Sequence, residues 1–356
     1  MTSPVGNLCE DGEVHNPFRT APTLKQRWYV LRRSVVAFWM GREIDNGAKL
    51  TFFTSLAFAP TLLALYSLAT LFLANNQGLV ADVTDRVVDD FVPEGYEAVA
   101  KDVVATVVGS AAGGIVGLII SIAISLFSAS AYVRAFARTA NDIYGVREGR
   151  PLYRLWLSMF LVTIVLVLGM LIVLAALGLN FPLVEALLVP IAEPLGLQNI
   201  VLALTETFLP IWQWLKWPVV AATLMLMLDV LYHFTPNTAP PKFRWLSSGS
   251  IIALFGITVV GALFFFYLRF LTSLSSYGAI GTVLALMFAV WGINIMVVFG
   301  LIVDVETERI YQLRDGRKSE RDMDVELRDS KAIEFQDRVY SRLVDEGSQV
   351  RRAQGD

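Results

Sequence analysis

The sequence contains apolar stretches that are long enough to cross a lipid bilayer and almost free of charge. A hydrocarbon core about 30 Å thick needs roughly 20 apolar residues of helix, and a backbone in lipid must satisfy its own hydrogen bonds. The stretches are residues 50–74, 108–133, 155–179, 211–233, 248–270 and 278–303. They predict an all-α fold, a polytopic membrane bundle of about six transmembrane helices with short interfacial amphipathic helices.

The positions of Lys and Arg predict the orientation of the bundle. These residues are frequent before residue 50, between 134 and 154 and after residue 305, and sparse in 75–107 and 180–205. Since Lys and Arg mark cytoplasmic loops, both termini are predicted to lie in the cytoplasm. The chain then divides into a leader with an interfacial helix (1–49), a transmembrane domain (50–304) and a charged cytoplasmic tail, mobile or helical (305–356).

Three connecting segments have patterns typical of a membrane surface. Before the first span, apolar residues recur at spacings of four and three, which indicates a helix on the inner leaflet that serves as an anchor or senses anionic lipid; they are Leu24, Trp28, Leu31, Val35 and Phe38. The acidic segment 75–107 predicts an amphipathic helix on the outer face. Prolines interrupt 180–205, which favours a re-entrant or interfacial segment over a seventh span.

Several polar residues inside the spans are candidates for lining a translocation path: Thr54, Ser55, Pro60, Asp229, Tyr232, His233 and Asn294. A carboxylate at a membrane position must reach the interface, find a partner or become protonated. Asp229 therefore either handles protons or substrate, or is a boundary carboxylate that is hydrogen-bonded to Tyr232 or His233. The proline in the first span predicts a kinked helix, which lines a cavity or packs inside the bundle.

The second span carries small residues four positions apart, which place a stripe along one helix face: Gly109, Gly113, Gly117, Ser121 and Ser125. Such a stripe lets another helix approach closely, although it also suits a cavity wall.

Motifs of common catalytic and cofactor sites do not occur. The chain has one cysteine, Cys9, and two histidines, and it lacks a Walker A loop, a dinucleotide fingerprint and a GxSxG turn. We therefore expect no metal, no cofactor and no enzymatic activity. Nucleic-acid binding is also disfavoured, because 29 basic residues are dispersed and outnumbered by 32 acidic ones.

Three segments resemble the YihY family of bacterial inner-membrane proteins, also called BrkB-like virulence factors. They read LTFFTSLAFAPTLLALYSL (50–68), NDIYGVREGRPLYR (141–154), and LYHFTPN (231–237) followed by SYGAIGTVLALMFAVWGINIMVVFG (276–300). The resemblance covers about residues 30–310. The motif residues in loops are Tyr144, Gly145, Arg150, Pro151, Pro236, Asn237, Ser276, Tyr277 and Gly278. Where the family has a Gly-Ala-Glu-like turn, this chain reads GLIVDVE, which leaves Asp304 or Glu306 to replace that glutamate.

The resemblance implies a bacterial inner-membrane protein without a settled activity. Members are often called ribonuclease BN, a label that this sequence does not support, because RNA hydrolysis needs metal ligands or an acid/base pair. The family is also discussed in connection with export of lipid-linked envelope material. We therefore predict a transporter or translocation factor for an amphipathic or lipid-linked envelope component, with membrane lipids as partners and a homo-oligomer left open. The alternatives are a membrane scaffold and a lipid-modifying enzyme that uses Asp229, Tyr232 and His233.

Overall fold

The structure, a computed structural model, describes residues 21–72, 114–179, 203–239, 245–270 and 278–353; for 58–72, 114–121, 203–205, 278–280 and 282 it describes the backbone only. The described residues form eight α-helices, and a π-helical turn, Ala203–Phe208, leads into the fifth. They are α1 (Leu24–Met40), α2 (Glu43–Phe72), α3 (Gly114–Tyr144), α4 (Leu152–Gly178), α5 (Leu209–Phe234), α6 (Ser248–Phe270), α7 (Gly278–Arg314) and α8 (Lys331–Ala353).

The predicted all-α membrane bundle is confirmed. Four helical segments are long and apolar enough to cross a membrane: Leu152–Gly178, Glu206–Phe234, Ser248–Phe270 and Val283–Arg314. The first two predicted spans coincide with α2 and α3 where these helices are described, and a total of six spans stays a prediction. The predicted outer helix at 75–107 and most of the proline-rich segment at 180–205 lie outside the described residues.

Helix α7 is the centre of the bundle. It packs against α1, α2 and α6 and also contacts α3, while α3 packs against α2 and α4, and α4 against α5. The core between these helices contains fully buried apolar side chains such as Leu50, Phe136 and Leu301. Large apolar side chains on α4 and α6, including Leu157 and Phe255, are exposed, as expected of surfaces that face lipid.

A helix, α1, is present where the interfacial helix is predicted, and its location at a membrane interface stays a prediction. It begins with a capping box, in which Thr23 Oγ1 accepts a hydrogen bond from the N–H of Gln26, and the Gln26 side chain accepts one from the N–H of Thr23. The predicted apolar residues Trp28 and Leu31 are exposed, whereas Val30 and the neighbouring face pack against α7. Helix α1 therefore presents an uncovered apolar stripe, as a helix in a membrane interface does.

Two glycines bring α6 and α7 into backbone contact. A Cβ on Gly300 would lie 2.6 Å from the carbonyl oxygen of Gly249 and 2.5 Å from Tyr232 Oη, so only glycine fits. Of the predicted small-residue stripe, Gly109 and Gly113 lie outside the described residues, and Gly117 and Ser121 lie in α3 where only the backbone is described. Ser125 is buried, and α2 packs against α3.

The charged tail is more closely attached to the bundle than a mobile extension would be. Helix α7 continues past residue 304 to Arg314, and the segment 315–330 folds back, with Ala239 N donating to Glu326 O at 2.8 Å. The predicted helical character is present in α8, which carries exposed apolar side chains such as Phe335 and Tyr340. We call the end of the bundle formed by 145–151, 235–239, 245–247 and 315–330 the loop end.

Gly300→Ala should lower the free energy of unfolding by about 1–3 kcal/mol, because the new methyl group overpacks the contact between α6 and α7. The matched control is Gly261→Ala, since a Cβ there meets nothing within 4 Å, and it should leave stability unchanged or slightly raised. Thermal unfolding of the purified protein in one detergent measures both. Equal stability of the two variants would contradict the close crossing.

Candidate functional site

A buried polar cluster joins α2, α3 and α7 inside the bundle. Asn294 on α7 is 3% exposed; its Oδ1 accepts a hydrogen bond from Tyr132 Oη at 3.0 Å, and its Nδ2 donates to the carbonyl of Val290 at 3.0 Å. The same Nδ2 lies 3.4 Å from both Thr51 Oγ1 and Thr54 Oγ1. We call Thr51, Thr54, Tyr132 and Asn294 the amide cluster.

The threonines of the amide cluster are oriented by their own helix. Thr51 Oγ1 donates to the carbonyl of Gly47 at 2.8 Å, and Thr54 Oγ1 donates to that of Leu50 at 2.9 Å. Because each hydroxyl hydrogen is used within α2, the oxygen lone pairs are left to accept from the Asn294 amide. Ser55, also predicted, donates to the carbonyl of Thr51 and so lies beside the cluster.

The carboxylate predicted in the fifth helix fixes the start of α6. Asp229 is 4% exposed and accepts hydrogen bonds from the N–H groups of Leu246 at 2.8 Å and Ser247 at 3.2 Å. Asp304 on α7 accepts from the N–H of Gly249 at 2.7 Å. Two carboxylates thus satisfy backbone donors at one helix N-terminus, where the helix dipole favours negative charge. A role of Asp229 in translocation stays a prediction.

The expected hydrogen bond between Asp229 and Tyr232 does not form. Tyr232 Oη donates to the carbonyl of Val297 at 2.7 Å, and its ring stacks on Phe136 with centroids 6.0 Å apart. The backbone carbonyl of His233 accepts from Arg328. The structure therefore distributes the predicted path residues over separate groups. The side chain of Pro60 lies outside the described residues.

The loop residues of the family motifs meet at the loop end. Asn237 donates its N–H to Asn141 Oδ1 at 2.7 Å, and its Nδ2 donates to the carbonyls of Arg147 at 3.1 Å and Asp329 at 3.0 Å. Asn141 Nδ2 in turn donates to Glu148 Oε2 at 2.9 Å. We name the group formed by these contacts and those of Arg150 and Arg328 the loop lock, which comprises Asn141, Glu148, Arg150, Asn237, Arg328 and Asp329.

Arg150 and Glu148 form the charged part of the loop lock. Arg150 Nε and Nη2 donate to the two carboxylate oxygens of Glu148 at 2.8 and 2.7 Å, and Nη2 also donates to the carbonyl of Thr235 at 2.7 Å. The Arg150 side chain is only 4% exposed. Burial by itself raises the pKa of Glu148, but the hydrogen bonds and charge of Arg150 outweigh it and lower that pKa from its ordinary 4.5.

Arg328 attaches the tail to the end of α5. Its guanidinium donates to the carbonyls of His233, Phe234 and Thr238 at 3.0, 3.3 and 3.2 Å. The first two belong to the last turn of α5, where carbonyls have no partner further along the helix, and Thr238 lies in the loop that follows. The backbone adds an isolated bridge between Thr238 and Leu327. The tail is therefore held at the loop end by side-chain and backbone contacts together.

Glycines and prolines of the motifs shape the loop lock. Gly145 follows the last residue of α3 and has φ +67°. Its N–H donates to the carbonyl of Asp142, and the N–H of Val146 donates to the carbonyl of Asn141. This pair of hydrogen bonds forms a Schellman turn, which favours glycine. A Cβ on Gly149 would lie within van der Waals overlap of the Asp329 carbonyl oxygen. Pro151 precedes α4 and Pro236 is buried. Ser276 and Tyr277 lie outside the described residues, and Gly278 begins α7.

A second charged group, missed as a site by the sequence, joins α1 to α7. Glu306 is 5% exposed, and its Oε2 lies 2.8 Å from Arg33 Nε and 2.9 Å from Arg309 Nε. Arg309 Nη1 also donates to the carbonyl of Ser319. Asp304 and Glu306, the two candidates for the family glutamate, thus have different partners.

The sequence also did not predict Asn141 and Glu148 as site residues, although both stand in the quoted motif. No group of three metal-ligating side chains lies close together among the residues that the structure describes.

Comparison with known proteins agrees with the resemblance. The family model described as Virulence factor BrkB matches residues 36–324. A curated relative from Bacillus subtilis (strain 168), named as the ribonuclease-like protein YfkH, is 28% identical over 178 residues. That match covers 49% of this chain and 60% of the relative, so the chain spans less than two thirds of the length of that relative. No solved structure matches.

Gly149→Ala should release the tail from the loop lock, because the new methyl group and the Asp329 carbonyl cannot occupy the same space. Limited proteolysis should then cut the 315–330 segment at least several-fold faster than in the wild type. Gly347→Ala on α8 is the control, since a Cβ there meets nothing within 4 Å. If both variants are cut at the wild-type rate, the tail is not held as described.

Acidification should weaken the loop lock. A carboxylate with a lowered pKa in the folded state stabilises the fold above its unfolded value of about 4.5, and this stabilisation is lost as pH falls through the folded-state pKa. Glu148→Gln should cost about 3 kcal/mol at pH 7, the lower end for breaking a buried pair because Glu148 is partly exposed, and should flatten the dependence of thermal stability on pH below about pH 5, where the wild type loses this contribution. The control, Asp337→Asn, removes the exposed pair with Arg147 and should change stability by less than about 1 kcal/mol.

Proposed function

This chain belongs to the Virulence factor BrkB family of membrane proteins, and we propose that it translocates an amphipathic or lipid-linked component of the bacterial envelope. It does so from the inner membrane, with both termini in the cytoplasm. The proposal contains no catalytic step. The name of the relative YfkH refers to a ribonuclease-like protein, and cleavage of RNA by this purified protein would contradict a purely translocating role.

The observation that carries the proposal is the amide cluster. Buried polar side chains in membrane helices are costly, and they usually face the bundle interior or a route for polar groups. Here three helices contribute to one cluster around Asn294, and Tyr132 and the two threonines approach it from α3 and α2. A polar headgroup that passes between α2 and α7 would exchange its hydrogen bonds with those of Asn294.

The position of the cluster supports a route along α2 and α7. Tyr232 donates to the carbonyl of Val297, three residues after Asn294, so polar contacts continue along α7 toward the loop end. There Asp304 and Asp229 satisfy the start of α6. The proposed route therefore uses polar groups that also stabilise the packing of the helices. Because of this overlap, a test must measure the rate of translocation and the stability of each variant separately.

Thr54→Val should slow translocation about two- to tenfold, the effect of one hydrogen bond of about 0.5–1.5 kcal/mol. Proteoliposomes are loaded with a fluorescent polyprenyl-phosphate sugar or with fluorescent phosphatidylglycerol, and the loss of signal to an impermeant quencher gives the rate. Thr258→Val is the matched control, because Thr258 also donates to the carbonyl four residues earlier but lies on the exposed face of α6. Equal rates for both variants, with unchanged thermal stability, would exclude the amide cluster from the route.

A scaffold role is the second candidate, and α8 is the observation that favours it. This helix carries apolar side chains that are more than half exposed, among them Phe335, Tyr340 and Leu343. Deletion of residues 331–356 removes α8 but keeps Arg328 and Asp329 in the loop lock. If the deletion abolishes the cellular phenotype while Thr54→Val has no effect, α8 recruits a partner and the translocation proposal fails. If the deletion has no effect, the scaffold role is excluded.

A further inference from the structure

A cavity of about 390 Å³ lies between α1, α6 and α7 at the loop end. This volume is within the range of about 300–1,000 Å³ that is typical of small-molecule sites. The cavity is bordered by the first turns of α1 and α6 and by the last third of α7, through residues such as Val30, Ile252 and Val303. It is separate from the amide cluster and from the loop lock, whose residues do not line it.

The lining includes an apolar set and a polar set of side chains. Leu31, Ile251 and Ile252 supply aliphatic surface. Arg27, Thr307 and Ser248 supply a cation and two hydroxyl groups. A ligand that fits both sets has a hydrocarbon portion and an anionic headgroup, which is the chemistry of a phospholipid.

Helix α1 adds positive charge around the cavity and carries exposed aromatic side chains of the kind found at a membrane surface. Between Leu24 and Met40 the helix has four basic residues, Lys25, Arg27, Arg32 and Arg33, and no acidic one. Arg33 is paired with Glu306, whereas Arg27 donates from Nε to the carbonyl of Pro22. Trp28 and Trp39 are 67% and 71% exposed, as in the aromatic belts that lie at headgroup level.

We propose that the cavity between α1, α6 and α7 binds one anionic phospholipid, with its phosphate at Arg27 and an acyl chain along Leu31 and Ile251. A basic side chain near an anionic lipid surface favours binding, and the aliphatic lining accepts a chain without loss of hydrogen bonds. The site holds a resident lipid and does not depend on the translocation proposal. Its ligand would remain bound in a protein that translocates nothing.

Native mass spectrometry of the full chain tests the site, with added phosphatidylglycerol or phosphatidylcholine of identical acyl chains. The wild type should retain one phosphatidylglycerol in preference to phosphatidylcholine. Arg27→Gln should lower that occupancy about fivefold, the contribution of one basic residue close to the headgroup. Lys25→Gln removes a charge from the same helix outside the cavity and should change occupancy less than twofold.

Filling the cavity gives an independent test. Ile251→Trp should displace the lipid, whereas Phe255→Trp, one turn further along α6 and outside the cavity, should leave it bound. A thermal unfolding transition shows that each variant is folded. If Ile251→Trp does not fold, the lipid occupancy of Arg27→Gln, a substitution at an exposed position, tests the site instead. Three results would each overturn the proposal. They are equal retention of phosphatidylglycerol and phosphatidylcholine by the wild type, the same loss of bound lipid in Arg27→Gln and Lys25→Gln, and full lipid occupancy in a folded Ile251→Trp variant. None of these outcomes bears on the rate measured for Thr54→Val.

Discussion

The hydrogen bonds of buried polar groups hold this bundle together. A bilayer core offers no water, so a polar side chain that enters the bundle must find its partner in the protein. Asn294 finds Tyr132 and the threonines of α2, Tyr232 finds a carbonyl of α7, and Asp229 finds backbone amides. Each of these contacts joins different segments of the chain, and together they restrict how the apolar helices rotate.

The same requirement explains why α7 is central. Its apolar part packs against four other helices, and its polar residues form contacts at several depths. Asn294 belongs to the amide cluster, Asp304 satisfies the start of α6, and Glu306 pairs with Arg33. Helix α7 continues to Arg314 and leads directly into the 315–330 segment, whose Arg328 and Asp329 belong to the loop lock. This continuity connects the charged end of the protein with the polar interior.

Phospholipid binding and translocation place different demands on these parts. The cavity beside α1 combines a fixed cation with an aliphatic surface, which suits a lipid that stays in place. The amide cluster is a neutral group of hydroxyls and one amide, so under the translocation proposal it would exchange hydrogen bonds without holding a charged headgroup. A resident lipid beside α1 would also cover apolar surface at the contact of α6 with α7.

The sequence by itself determined the helical class, the main spans and the presence of α1, because the length of an apolar run and its spacing are local properties. It also indicated the loop motifs through the family resemblance. Only the tertiary structure decided which polar residues meet. Asn141 and Asn237 are 96 residues apart in the chain, and Thr54 and Asn294 are 240 apart. Asp229 stands in an apolar helix, yet its partners come from the loop that follows and from no residue within its own turn. The spacing of residues along one helix does not determine how that helix is rotated against its neighbour, or where a loop distant in sequence packs against it. For this physical reason, these contacts could be found only in the folded structure.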